Sequence, residues 1–308
     1  MAEENKTYRI GGLATTGAEA FLESFEPTFS AYLNQTVGEV YPGVGFIAVP
    51  LAFDDVWDAV SSASVDFLFL NPGSASCMES EFGVSAILSL RNFRQGNELN
   101  SFGGVVITAA NRSDITEVAH LQDKVVEGVS VSGLGAFQLQ WGLLQDQGFN
   151  LMADTEEVRF AYNQKKARYT IVYDVINENV DVGFVRTDMV ERMDAAATDL
   201  VPEWPLQALP HVPSDLAKEV VGALMLINET HEAAVSGGYS TWDVPLSYAD
   251  LRLVEMQLGV LDSEQGHCIQ SENVYGAVVC PEGFFKIAEN LFDSKCSELG
   301  SKYALAHP

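Results

Sequence analysis

Short apolar runs alternate with amphipathic stretches along most of the chain. Residues 8–14 ("YRIGGLA") read as a strand, and residues 18–36 ("AEAFLESFEPTFSAYLNQT") space Phe21, Phe25, Phe29 and Leu33 four apart, which predicts a helix with one apolar face. Residues 45–51 ("GFIAVPL") predict the next strand, and residues 53–64 ("FDDVWDAVSSAS") a short helix opened by Asp54 or Asp55. That helix leads into "VDFLFLNPGSAS" (65–76), an apolar strand stopped abruptly by Asn71-Pro72-Gly73-Ser74. Residues 101–110 and 124–132 predict further strands, the second followed by a helix in "AFQLQWGLLQDQG". Strand and helix in alternation argue for an α/β fold. No low-complexity linker divides the chain, so two lobes would be intertwined rather than strung end to end.

One internal echo points to two such lobes. The stretch "VWDAVSSASVDFLFLNPG" (56–73) and the stretch "VYDVINENVDVGFVRTD" (172–188) both run Val-aromatic-Asp, short helix, Val-Asp, apolar strand and polar tip, with a one-residue slip. Any helix-to-strand unit of an α/β protein has this outline; a true repeat would place one polar strand tip in each half. Ligands of open α/β sheets sit beyond the carboxyl ends of strands, which gives such tips a use. The second tip holds Arg186. Either it pairs with Asp188 at the surface, or its position after a buried strand holds the guanidinium ready for bidentate contact with a carboxylate or oxoanion.

A third stretch, "SVSGLGAFQ" (130–138), joins a strand to a helix with glycines and the hydroxyls of Ser130 and Ser132. Backbone N–H groups and the positive end of a helix dipole suit an anion there. A tight turn that needs glycine for close strand-helix packing accounts for the same residues. It is neither a dinucleotide fingerprint, because Gln138 stands at the third glycine position, nor a P-loop, because no Gly-Lys-Ser/Thr follows.

Charge and cysteine narrow the partners. The 308 residues are 47% hydrophobic, enough for one large core or two medium ones, and 43 acidic against 17 basic residues give a formal charge of −26. Such a surface repels nucleic acid and anionic lipid. No apolar run reaches the ~20 residues of a membrane helix, and "MAEENKTYRI" lacks the features of a signal peptide, so a soluble chain with no direct membrane insertion is expected. Four N-x-S/T triplets, at Asn5, Asn34, Asn111 and Asn228, together with Cys268, Cys280 and Cys296 near the C-terminus and Cys77 far from them, point to an extracellular or periplasmic setting and a glycoprotein. The cysteine spacing fits no zinc or redox motif. His120, His211, His231, His267 and His307 are scattered, and "GVSVSG" has Ser132 where a nucleophile elbow needs glycine. No catalytic residue, metal or cofactor is expected, and the chain reads as a non-enzyme.

Eight motifs in order carry a resemblance over roughly residues 7 to 260: "RIGGLATTGAEAFLESFEPTFSAYLN", "VPLAFDDVWDAV", "VDFLFLNPG", "FGGVVITAANRSDI", "LGAFQLQW", "VDVGFVRTDMVERM", "VPEWPLQALP" and "VPLSYADLRLVEMQL". The chain resembles the PhnD-like family of phosphonate-type periplasmic solute-binding proteins, and more closely the branch that serves as extracytoplasmic sensor domains. The resemblance implies a two-lobed α/β Venus-flytrap fold of type II, with residues 7–100 plus 201–262 in one lobe, 101–200 in the other, and 263–308 as a Cys-containing tail. It implies hinge closure on a small, anionic, phosphonate-like ligand held by Thr15, Asn71, Gly73, Ser74, Ser130, Ser132, Gly133, Leu134, Gly135, Tyr162, Arg186 and Thr187. A receptor or an ABC-type uptake transporter is the implied partner. Between "ERM" (191–193) and "VPEWP" (201–205) the family pattern has a further strand, where this chain has only "DAAATDL", so the second lobe is expected to be shortened near 194–200. "CPEGFF" in the tail is similar to the start of a growth-factor-receptor-type Cys-rich stalk, with Cys268, Cys280 and Cys296 as its disulfide candidates.

Overall fold

A computed structural model describes residues 6–94, 96–131, 133–161, 167–187, 196–197, 200–262, 268, 284–286 and 296–298. The strands, in chain order, are β1 (Lys6–Leu13), β2 (Val44–Leu51), β3 (Phe67–Phe69), β4 (Ser85–Arg94), β5 (Asn97–Leu99), β6 (Ser101–Phe102), β7 (Gly104–Thr108) and β8 (Val125–Gly128). They continue with β9 (Glu157–Phe160), β10 (Val182–Arg186), β11 (Ala196–Ala197), β12 (Val201–Pro202), β13 (Pro205–Ala208), β14 (Tyr239–Asp243), β15 (Phe284–Lys286) and β16 (Cys296–Glu298). The helices are α1 (Ala18–Glu26), α2 (Leu33–Val40), α3 (Asp55–Ser61), α4 (Pro72–Phe82), α5 (Gln138–Asp146), α6 (Leu151–Asp154), α7 (Ala167–Ile176), α8 (Ser214–Leu224), α9 (Glu232–Gly237) and α10 (Ala249–Gln257). Two compact units divide the chain: the first holds residues 1–102 and 200–253, the second 103–199 and 254–308.

The first unit is built on a sheet ordered β14-β4-β13-β3-β1-β2, with β5 beside β4. β1 runs parallel to both β2 and β3. Its core is aromatic: Phe69 sits 4.8 Å from Phe25, 5.6 Å from Phe29, 5.3 Å from Trp204 and 5.6 Å from Trp242, ring centre to ring centre. The predicted helix with its Phe21, Phe25, Phe29 and Leu33 face is present, but Pro27–Tyr32 forms a π-helical turn inside it. Pro27 has no N–H to donate to an α-helical ladder, and the widened turn passes that gap. The second part of this helix protects the sheet edge. Phe46 N–H donates to Asn34 Oδ1, Asn34 Nδ2 donates to Phe46 O, and Ala48 N–H donates to Ser30 Oγ. These side chains satisfy outer groups of edge strand β2.

The second unit has a sheet ordered β11-β7-β10-β8-β9 with helices on both faces. Val126, Val182 and Phe184 pack with Phe137 and Leu144 of the α5 side. Val105, Ile107 and Val185 pack with Ile171 and Val175 of α7. β10 is parallel to β8 and β8 to β9, while β7 is antiparallel to β10. The strand expected over 101–110 is two strands in two sheets: β6 pairs with β12 in the first unit, and β7 belongs to the second. The break falls at Gly103, whose N–H donates to Thr187 Oγ1. In the segment near 194–200, Ala196–Ala197 adds β11 to the edge beside β7.

The internal echo has a structural counterpart. Each copy is a helix followed by a strand, α3 to β3 and α7 to β10, and each Asp of the Val-Asp pair does the same job. Asp66 Oδ2 accepts from Arg9 N–H and Asp181 Oδ2 accepts from Val125 N–H, in both cases on the parallel neighbour strand. Each carboxylate also meets a basic side chain, His211 for Asp66 and Arg112 for Asp181. Burial works against the Asp181 charge, but the Val125 N–H and Arg112 outweigh it and hold the carboxyl below its ordinary range.

Candidate functional site

In the first unit, the carboxyl ends of parallel β1 and β3 lie side by side, since Gly12 pairs with Phe69. Thr15 follows β1 and is exposed; Asn71, Gly73 and Ser74 follow β3. The tip that stops β3 is a helix cap. Asn71 Oδ1 accepts from Gly73 N–H at 3.0 Å and from Ser74 N–H at 3.2 Å, Pro72 occupies the first helical position, and Asn71 Nδ2 donates to Ser74 Oγ at 2.8 Å. The Asn71 carbonyl and the Gly73 and Ser74 N–H groups are therefore engaged within the cap. What this tip still presents is the Ser74 hydroxyl proton and the second amide proton of Asn71.

In the second unit, parallel β8 and β10 end on the same side of the sheet. β8 leads into the turn with Ser130, Gly133, Leu134 and Gly135, and β10 into Arg186 and Thr187. Ser132 and Tyr162 lie outside the described residues, as does Cys280, while Cys296 is described as part of β16. Gly133 N–H donates to Ser130 O at 3.0 Å, and Gly133 O accepts from the N–H groups of Ala136 and Gln138. The Gly133 N–H expected to face an anion is thus used in closing the turn. The N–H groups of Leu134 and Gly135 open the 3-10 turn Leu134–Ala136, ahead of the Ala136 N–H that closes it on Gly133 O. Close packing accounts for the glycines as well: a Cβ on Gly128 would lie 2.7 Å from the Phe137 ring, and one on Gly133 would lie 3.0 Å from Ser130 O. Arg186 is half-buried at the end of β10, and Thr187 N–H donates to Gly103 O at 2.9 Å.

Two second-unit residues near these strand ends were not found from the sequence. Gln140, fully buried on α5, donates from Nε2 to Val105 O, Gly135 O and Val185 O at 3.2, 3.0 and 2.9 Å. Its signal was a polar residue on the same helix face as Phe137 and Leu144. Glu127, in the apolar strand β8, is also buried. Burial, then the charge and hydrogen bond of Asp174, push its carboxyl up to about 7, with Arg159 pulling the other way. An ordinary glutamate loses its proton near 4.5, so the stability Glu127 gives at low pH is lost as pH rises from there through about 7. Glu127→Gln removes that loss. Its thermal midpoint is expected to exceed the parent's at pH 8 and to match it near pH 4; an equal difference at both would contradict the assignment.

Cys77 on α4 and Cys268 are both disulfide-bonded, so the cysteine set apart from the tail takes part in cross-linking too. Among the described residues no helix is long and apolar enough to cross a membrane.

A family model described as ABC transporter, phosphonate, periplasmic substrate-binding protein matches residues 11–244. Over 293 residues the chain is 26% identical to the tetrathionate sensor histidine kinase TtrS of Salmonella typhimurium, covering 89% of this chain and 48% of the kinase. The chain thus spans about half the length of that curated relative. Two solved structures share the fold. PhnD1 from Prochlorococcus marinus, in complex with methylphosphonate, superposes with a TM-score of 0.65 at 10% identity, covering 83% of this chain and 99% of that one. A binding protein component of an ABC phosphonate transporter from Pseudomonas aeruginosa gives a TM-score of 0.65 at 12% identity, over 85% and 92% of the two chains.

Proposed function

The chain belongs to the phosphonate-type periplasmic substrate-binding family, with its type II binding-protein fold, and on that premise we propose that it is an extracytoplasmic sensing domain for a small oxoanion. The observation that carries the reading is the shared carboxyl end of parallel β8 and β10, where the Ser130 hydroxyl and the Leu134 and Gly135 N–H groups follow β8 and Arg186 is the last residue of β10. These groups are donors, and Arg186 supplies the countercharge. Thr187 adds a hydroxyl in the same unit, and Ser132 and Tyr162 belong to the expected ligand set there. The formal charge of −26 opposes anions at long range. Screening over roughly 8–10 Å in ordinary salt leaves the local donors in control.

The ligand is held without conversion, and it shifts the domain toward the conformation it binds more tightly. Sensing is favoured over transport by the kinase relative, which covers most of this chain. A free binding protein for uptake is the second reading, favoured by the family's own description. The natural ligand is a phosphonate, phosphate or a sulfur oxoanion; the names of the relatives put methylphosphonate and tetrathionate first in a test. In a thermal-shift panel of methylphosphonate, phosphate, phosphite, sulfate, tetrathionate, carboxylates and amino acids, an oxoanion is expected to raise the melting temperature in a saturable way. A rise confined to neutral or cationic compounds would overturn the reading.

A further inference from the structure

We infer that Gln140 is the residue that fixes the glycine turn against the end of the Arg186 strand, and so sets the spacing of the donors in the proposed oxoanion site. The inference deepens the reading above and rests on it for its link to binding. Its structural content stands apart.

The side-chain amide of Gln140 has two protons and faces three carbonyls, so one proton is shared. The three acceptors belong to three different pieces of backbone. Gly135 O lies in the turn after β8, Val185 O immediately precedes Arg186, and Val105 O lies on β7, which pairs with β10. One amide group therefore joins both binding elements of the second unit to the strand beside them. The Gln140 oxygen, Oε1, is buried with no hydrogen-bond partner among the described residues. That is an unfavourable state for a carbonyl, and an apolar side chain of the same size would avoid it. What the amide contributes is thus the threefold donation. The surroundings are shaped to admit it: Gly104 has no side chain, and a Cβ there would stand 2.5 Å from Gln140 Nε2. At that distance one of the two groups must move.

A general packing role and a positioning role make different predictions for Gln140→Met, which keeps length and volume but removes both donors. Hydrogen exchange followed by mass spectrometry needs no ligand. Positioning predicts that exchange quickens about tenfold over residues 134–138 and 185–187, while residues 151–160 and the thermal midpoint stay close to the parent. A uniform increase across the second unit, or no change in the turn, overturns the inference. Gly104→Ala provides a second route, since it crowds the amide without altering Gln140, and the same confined pattern is expected. Inorganic phosphate serves as the binding probe. If it shifts the parent's melting temperature, Gln140→Met is expected to weaken its apparent affinity at least tenfold, and unchanged affinity would contradict the positioning role. If phosphate has no effect on the parent while exchange changes as described, the oxoanion reading loses support and the structural tie at Gln140 stands.

Discussion

Replacing Phe69 by alanine is expected to remove about 3–5 kcal/mol from the first unit, the usual range for a large aromatic cut out of a packed core. Phe69 is 2% exposed, and its ring lies within 5.6 Å, centre to centre, of Phe25, Phe29, Trp204 and Trp242. Those neighbours come from the first helix, from the π-helical turn, from the segment that returns to this unit before β13, and from β14. Three of them sit in helices or a strand and Trp204 lies in the short link between β12 and β13, so they have little freedom to collapse into the space the ring leaves. Domains of this size hold about 5–15 kcal/mol in total, and a loss this large lowers the melting temperature by roughly 10 °C. Differential scanning calorimetry of Phe69→Ala reads the effect directly; a shift of only one or two degrees would mean the ring is not a centre of this core. Phe69→Leu keeps much of the volume and is expected to lose less than half as much.

The second large effect concerns binding. Arg186→Ala is expected to weaken the affinity for an oxoanion by about 10- to 100-fold, which corresponds to about 1.5–3 kcal/mol for hydrogen bonds to a charged group. The fold should survive, because Arg186 is the last residue of β10 and the core contacts of that strand come from Val182, Phe184 and Val185. Arg186→Lys keeps the charge but not the planar pair of donors. It is expected to recover part of the affinity and none of the bidentate geometry.

Much of this arrangement could be read from residue types. The strands and the helix before each polar tip follow the apolar pattern, and the paired Val-Asp steps proved to be the same device twice, an Asp that accepts from a backbone N–H of the parallel neighbour strand. Asn71-Pro72-Gly73-Ser74 was legible as a tip, yet its first task is local. Asn followed by Pro is a helix-start pattern, and the cap takes up groups that a reading from ligand chemistry assigns outward. Gly133 is a similar case, with its N–H closing the turn on Ser130. Residue type shows that a glycine turn exists; it does not show which N–H groups the turn consumes. Gln140 was beyond reach for a different reason. Its acceptors Val105 and Val185 are 35 and 45 residues away in the chain, and only the sheet brings them to one amide.

The most direct test is calorimetric titration of the chain with methylphosphonate, phosphate and tetrathionate, with the ligand recovered and analysed afterwards. Saturable binding of one oxoanion per chain, loss of that heat in Arg186→Ala and return of the ligand chemically unchanged are the predicted results. Absence of binding to every oxoanion, identical binding by the Arg186→Ala chain, or recovery of a converted product would contradict the account.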